Sequence, residues 1–379
     1  MSDVPATTRK LRSLVTDDGQ VRVSVENVDT PRPQPHQVLV RVEAAPLNPS
    51  DLALLLALAD PGTVSAEDTP EGPVVRAPVP DAVMPSLRAR LGRSMPVGNE
   101  GAGVVVAAGE APEAQALLGQ RVGFAGEGTY GEHVLAVAQG CLPLPEGATA
   151  ADGAASFVNP FTALGMVETM RREGHTALVH TAAASNLGQM LNRVCLADGI
   201  GLVNVVRRRE QADLLRDLGA LHVVDSSAES FMADLVEAIR ATGATLAFDA
   251  VGGGRLASDI LNAMEVAVTD PAAPYSRYGT NVPKQVYVYG GLDRRPTELR
   301  RGFGFAWGIG GWLLMPFLAS LSVDDLVRLK GRIAAELTTT FASRFTEEIS
   351  LDQALELDVL RRYARTATGE KFLIVPSRP

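Results

Sequence analysis

Apolar and polar positions change rhythm along this chain. From about residue 21 to 145 the apolar runs are short and alternate with polar residues, as at 21–25 and 37–42. A period of two predicts strands with one buried face. Residues 101–108, 121–125 and 131–137 continue the series, and Pro31, Pro33 and Pro35 interrupt it. Strands this short, with so many turns, predict a compact barrel-like domain. The Pro-rich stretch 60–96 is only weakly periodic and reads as a solvated loop, the alternative being a flap over an active site.

From about Phe157 strands and helices alternate instead. Predicted strands are 177–180, 202–206, 222–225, 245–249 and 285–289, with helices at 186–197, 210–218, 228–241 and 255–263 between them. That is the doubly wound α/β signature. The tail, 349–375, reads as a helix and then a strand at 371–375.

Residues 176–225 say most about chemistry. An apolar run meets a small-residue turn, 181–185, then an amphipathic segment, then a second apolar run that stops at Arg207, Arg208 and Arg209. A strand, tight turn, helix and parallel strand form the unit that binds dinucleotides. Of the glycine fingerprint only Gly188 survives, in Ala182-Ala183-Ala184-Ser185-Asn186-Leu187-Gly188. Alanine and serine are still small enough to let a pyrophosphate reach amides at a helix N-terminus. The arginines fall where the adenosine ribose would lie. A carboxylate there bonds a 2′-hydroxyl, whereas a guanidinium fork suits a 2′-phosphate. The expected cofactor is therefore NADP(H).

Composition narrows the class. The 379 residues suffice for two domains, and 46% hydrophobic against 21% charged residues predicts a packed core. Net charge is −9, so nucleic acid is not an expected partner. Only Cys141 and Cys195 are present, which excludes a four-cysteine zinc site and a disulfide framework. Residues 1–12 lack the apolar core of a signal peptide, and glycines with Pro316 punctuate the apolar run 303–321. That run reads as a buried or interface element, not a membrane span. The expectation is a soluble cytoplasmic protein acting on a small molecule.

The order of these pieces resembles the zinc-independent quinone oxidoreductase branch of the medium-chain dehydrogenase/reductase superfamily. Pro46-Leu47-Asn48-Pro49-Ser50-Asp51 is similar to its N-P-S-D segment, and Pro96-Val97-Gly98-Asn99-Glu100-Gly101 opens its P-G-x-E-x-x-G-x-V segment. Gly119-Gln120-Arg121-Val122 resembles G-D-R-V, Phe248-Asp249-Ala250-Val251-Gly252-Gly253 the end of the fourth dinucleotide-domain strand, and Gly369-Glu370-Lys371-Phe372-Leu373-Ile374 the closing G-K-x-V-L strand. The resemblance implies a GroES-like β-barrel catalytic domain, 1–155 completed by 318–379, plus a doubly wound Rossmann domain, 156–317. The active site would be the cleft between them. It also implies a homodimer, joined at the edge of the Rossmann sheet.

By the same resemblance Asp51 and Asn99 stand where zinc-dependent relatives carry metal ligands. An amide is a poor zinc ligand, and His36, His133, His175, His180 and His222 are scattered without a paired spacing, so no metal is expected. Asn48 is the first catalytic candidate, its amide reaching cofactor or substrate; the alternative is a turn-forming residue before Pro49. Asp51 is the second, orienting neighbours or capping a helix at 52–58. Leu54, Leu55 and Leu56 occupy the region where related reductases carry a tyrosine, so water is the expected proton source. Thr162 is placed at the nicotinamide, the alternative being a buried helix hydroxyl. Ala184, Ser185, Asn186 and Leu187 face the pyrophosphate; Arg207 and Arg208 the ribose phosphate; Gly252, Tyr289, Gly290, Gly291 and Leu292 the nicotinamide end. Lys371 lies near the cofactor in the resembling fold, although a solvated lysine is the simpler reading.

Three functions follow from these readings. The first is NADPH-dependent reduction of a quinone or α,β-unsaturated carbonyl. The second is reduction of an enoyl thioester or haloacrylate-type acid, with Arg88, Arg90 and Arg93 as the cationic reservoir. The third is a dinucleotide-binding regulatory protein with negligible turnover.

Overall fold

The computed structural model describes residues 4–272 and 274–378. The protein is α/β and divides into two compact units. One runs to Val158 and resumes at Lys330; the other is Asn159–Leu329. The second crossing thus falls inside the helix Val323–Ala335 rather than at 317/318.

The first unit is built from two largely antiparallel sheets. Thr7–Val15 pairs with Gln20–Asp29 along its whole length, from Thr7↔Asp29 to Val15↔Val21. This first strand has no clear apolar alternation because Thr8, Lys10 and Ser13 are buried beside Leu11 and Val15. The stretch 60–96 is not a solvated loop. Ser65–Thr69 and Gly72–Pro78 form a hairpin, and its second strand joins Gln20–Asp29 from Gln20↔Pro78 to Ser24↔Val74. Burial of Val74, Val75 and Ala77 supplies the apolar drive, while Pro73 and Pro78 sit near strand ends, where a missing N–H is tolerated.

Gln37–Pro46 is the central strand of the second sheet. It pairs with Glu100–Ala108 through two register shifts, and with His133–Val137. At Gly103 a Cβ would stand 2.0 Å from the Arg41 carbonyl oxygen, so only glycine permits this approach. Phe372–Ile374 pairs antiparallel with the end of the same strand, Leu373↔Pro46 and Ile374↔Ala45. The C-terminal segment is thereby brought to residues 46–48, where Leu47 N donates to Phe372 O at 3.1 Å.

The second unit carries a parallel sheet. Its elements are β1 (Ala177–Thr181), α1 (Asn186–Asp198), β2 (Gly201–Val206), α2 (Arg209–Asp217), β3 (His222–Asp225), α3 (Phe231–Thr242), β4 (Leu246–Asp249), α4 (Leu256–Val268), β5 (Lys284–Val288) and β6 (Trp307–Gly311). The strand order is β3-β2-β1-β4-β5-β6, with every pair parallel. Chain order reverses beside β1, which is where such sheets bind ligands. Val179, Val203, Val205, Ala247 and Val286 fill the core beneath α3 and α4. Strand β6 lies inside the run expected as a buried or interface element. Its start packs inward through Phe303 against Trp307, at 4.9 Å between ring centroids. Trp312 packs edge-on to Phe248 and donates its Nε1–H to Thr169. Phe305, Leu313 and Met315 point to solvent instead.

Candidate active site

In the first unit the polypeptide turns at Asn48 from strand into a short helix, Pro49–Leu55. Asn48 is extended (φ −104°, ψ 156°), and Pro49 takes the first helical position, where its missing N–H costs nothing. Asp51 lies within the first turn and accepts from Asn48 N at 2.9 Å. The N-cap is therefore Asn48, and Asp51 closes the turn from inside the helix. The Asn48 side chain donates to Glu100 Oε1 at 2.8 Å, which fixes its amide with the NH₂ toward Glu100. One of its two N–H groups is thus already committed. Glu100 also accepts from Phe157 N at 3.0 Å and Val158 N at 2.9 Å. Asn99 donates to the other Asp51 oxygen. Tyr130, wholly buried, packs the barrel and gives its hydroxyl proton to Pro46 O at 2.9 Å.

Lys371 completes this cluster. It is not a solvated lysine: Nζ is shut off from water and has no hydrogen-bond partner among the described residues. Burial pushes its amine down to about 8, with Glu100 and then Asp51 opposing that shift. Burial pushes the Asp51 carboxyl up to about 7 against the hydrogen bonds from Asn48 N and the Asn99 amide, which favour its charge. Glu100 moves up for the same reason, with Lys371 pulling it back. Among the described residues no group of three or more His, Cys, Asp or Glu side chains could hold a metal ion.

Arg90 is not a free cation. Its guanidinium donates to Leu54 O and to Ser13 Oγ, and Ser13 donates to Leu55 O. It holds the final carbonyls of the helix that begins at Asn48, a favourable place for a positive charge. The three-arginine reservoir expected for an acidic substrate thereby loses its middle member.

In the second unit the candidates gather at the C-terminal ends of the parallel strands. Ala182 adopts φ +50°, in the left-handed region where a fingerprint glycine would be at ease. Ala183 N donates to Val205 O, tying the turn to β2, and Ser185 caps α1 by accepting from Gly188 N at 3.1 Å. A Cβ on Gly188 would lie 2.1 Å from the Ala183 carbonyl oxygen. The surviving glycine is the one at which helix and turn touch. Asn186 and Leu187 form the first turn of α1, directly after its Ser185 cap.

Arg207 and Arg208 are exposed at the end of β2, and neither forms an ion pair among the described residues. Arg209 differs, lying 3.8 Å from Asp213. After β4, Asp249 accepts from Thr181 Oγ1, Val251 N and Gly252 N and fixes the following loop. Gly252 has φ +77°, and a Cβ there would meet Gly290 O at 2.7 Å; a Cβ on Gly290 would meet Ala250 O at 2.5 Å. Glycine on both loops allows this contact. Gly291 has open space around it, and Leu292 is exposed.

The Tyr289 side chain is not presented as a free contact. Its hydroxyl bonds His180 Nε2 at 2.7 Å, with the rings stacked at 18°. Burial pushes His180 down to about 3, so the imidazole is neutral. Thr162 is a buried residue of the helix Val158–Arg172. The candidates thus form two groups, with Asn48, Asp51 and Lys371 in one unit and the residues of the strand-end loops in the other. The sequence reading assigned no role to Glu100, Tyr130 or the His180–Tyr289 pair. A glutamate between Asn99 and a glycine-rich apolar strand was the available signal for the first.

Residues 34–146 match the alcohol dehydrogenase GroES-like domain. The mitochondrial enoyl-[acyl-carrier-protein] reductase of Xenopus tropicalis is 29% identical over 290 residues, covering 73% of this chain and 67% of that protein. The acrylyl-CoA reductase AcuI of Ruegeria pomeroyi is 32% identical over 147 residues, 37% of this chain and 43% of that protein, so that match spans less than half of its length. Among solved structures, a Mesorhizobium loti protein provisionally assigned as an NADPH:quinone reductase superposes with TM-score 0.74 at 27% identity, covering 98% of this chain and 99% of the other.

Proposed function

The chain belongs to the medium-chain dehydrogenase/reductase superfamily, and from that premise we propose that it is an NADPH-dependent, zinc-independent reductase of a quinone or an α,β-unsaturated carbonyl. The observation that carries the reading is the end of the parallel sheet, where a glycine-tight strand–turn–helix stands beside two exposed guanidiniums without an ion pair among the described residues. These residues fit a phosphorylated dinucleotide. The loops at Gly252 and Gly290 are so close that a Cβ on either would strike backbone, and Gly188 of α1 meets the Ala183 carbonyl of the preceding turn just as closely.

NADPH bound there would supply the hydride. The first-turn amides at Asn186 and Leu187, with Ala184 and Ser185 in the turn, hold the pyrophosphate. Arg207 and Arg208 take the 2′-phosphate. Gly252, Gly290 and Gly291 let the nicotinamide end approach backbone, and Thr162 offers it a hydroxyl. Asn48, fixed by Glu100, offers its remaining N–H to a substrate oxygen, and Asp51 holds the Asn48 backbone in place. The donor set where a metal would be expected is an amide bonded to a carboxyl group, which suits hydrogen bonding rather than zinc. A quinone or enone needs no Lewis acid, because conjugation carries the incoming charge to oxygen.

A second reading, reduction of an enoyl thioester, is favoured by the names of the two curated relatives. A cytoplasmic site of action accords with both cysteines being free and buried. NADPH oxidation against a panel of quinones, enones and enoyl thioesters tests the assignment. A preference for enoyl thioesters selects the second reading, and no turnover with any of them overturns both.

A further inference from the structure

Three ionisable side chains of the first unit share one dry cluster. Asp51 and Glu100 are 0% and 1% exposed, and the Lys371 Nζ is sealed without a hydrogen-bond partner among the described residues. Counting protons decides their charges. Glu100 accepts from three N–H groups, which suits a carboxylate, and Lys371 is the charge that most favours its ionised form. Asp51 receives one N–H on each oxygen, from Asn48 N and the Asn99 amide, and its third neighbour is the Tyr130 hydroxyl.

Tyr130 has a single proton and gives it to Pro46 O. Its oxygen therefore meets Asp51 with a lone pair. A carboxylate would be repelled there, whereas a carboxylic acid donates to it and satisfies both hydroxyls. Net charge leads the same way. Glu100 and Lys371 cancel, and a second anion would be a buried charge without a partner. The other ionisable groups facing the cluster, Tyr130 and Tyr363, are buried phenols held neutral.

We propose that Asp51 is a carboxylic acid in the resting protein and stores the proton that accompanies the hydride. This rests on the reductase reading above. Hydride from NADPH brings two electrons to the substrate and leaves an enolate or hydroquinone anion. With substrate admitted to its Nζ, Lys371 gives that anion a proton: an N–H bond breaks, an O–H or C–H bond forms, and the electron pair stays on nitrogen. The Asp51 O–H then breaks in turn, its proton restores the ammonium, and its electron pair stays on the carboxylate. The cluster is left one charge more negative, and this draws a proton back from water.

Infrared difference spectroscopy on the protein without cofactor tests the first half. At pH 6 one protonated carboxyl stretch is expected, absent in Asp51→Asn, retained in Glu100→Gln, and fading as pH rises through about 7. In Lys371→Met the band should persist to higher pH. No protonated carboxyl in the parent protein, or a band that survives Asp51→Asn, overturns the proposal. For the second half, Asp51→Asn should lower kcat about a hundredfold, remove the ionisation near pH 7 from its profile and enlarge the solvent isotope effect, while NADPH affinity by fluorescence titration stays within about twofold. Unchanged kcat and profile overturn the proton store. If the parent protein reduces no quinone, enone or enoyl thioester, the reductase reading fails and the delivery step with it, while the infrared result still decides whether Asp51 is an acid.

Discussion

Asn99 donates its side-chain amide to Asp51 Oδ1 across 2.5 Å. These two residues stand where zinc-dependent relatives are expected to ligate metal, and here they bond each other. An amide nitrogen has little basicity to offer zinc, and the carboxyl group has its second oxygen on Asn48 N. Dialysis against a strong chelator should therefore leave NADPH-linked turnover unchanged. Stoichiometric zinc in the purified protein, with activity lost on its removal, would refute this.

Cofactor choice should follow the end of β2. Arg207 and Arg208 are exposed, and no Asp or Glu occupies 205–209 to repel a phosphate. A charge-assisted contact to phosphate contributes on the order of 1.5–3 kcal/mol, or roughly ten- to a hundredfold in affinity. Replacing both arginines by alanine should weaken NADPH binding by at least that factor and leave NADH binding nearly unchanged. The parent protein should prefer NADPH strongly. Equal affinity for the two cofactors by calorimetry would remove the assigned role of the arginines.

What could be read from the sequence depended on whether the fold was written in apolar periodicity. The strands and helices of the second unit were legible because β1, β2 and β4 bury continuous runs and the helices bury apolar residues at helical spacing; β3 falls at 222–225 as expected, and β1, β2, β4 and β5 within a residue. Strand β6 was hidden by Gly308, Gly310 and Gly311, whose lack of side chains erases alternation. The hairpin at 65–78 was hidden by its prolines and by a first strand, Ser65–Thr69, without a buried residue. Asn48 and Asp51 could be found by motif, but Lys371 could not be placed. A lysine before a closing strand looks solvated until the pairing Leu373↔Pro46 carries it to the buried carboxyl groups.

Gly188 is a test of packing rather than charge. Its Cβ would fall 2.1 Å from Ala183 O, and neither the turn nor the helix start is a flexible side chain that can move aside. Gly188→Ala should cost about 1–3 kcal/mol of stability, as overpacking does, and weaken NADPH and NADH alike. Thermal unfolding and paired titrations separate it from the arginine variants. A Gly188→Ala protein with parent stability and parent affinity for both cofactors would show that the approach is not obligatory.

His180 should make the second unit sensitive to acid. Its ordinary value is 6.5, and burial pushes it down to about 3, so the unfolded chain takes up a proton that the folded state refuses. The stabilisation from this neutral histidine is complete above 6.5 and is lost as pH falls toward about 3, by at most about 5 kcal/mol. His180→Phe strands the Tyr289 hydroxyl and should be less stable at pH 7, yet its stability should fall less steeply between pH 6.5 and 4. Denaturant midpoints at several pH values decide this. Equal slopes in the two proteins would mean that another group governs the acid limb.

The outer edge of β6 carries the last expectation, a homodimer. β6 ends the sheet order, so one side of Trp307–Gly311 has no strand beside it among the described residues. Open edges of this kind recruit further strands unless blocked. Nearby Phe305, Leu313 and Met315 are 71%, 65% and 61% exposed, more apolar surface than one strand end usually leaves in water. A two-fold axis at that edge would continue the sheet into a second copy and cover the same residues on both subunits. Light scattering at micromolar concentration should give close to twice the 40.0 kDa subunit mass. Changing Phe305 and Leu313 together to aspartate should return the single-subunit value while keeping the secondary-structure signal. A parent protein that scatters as one subunit would leave the edge without the partner argued for here.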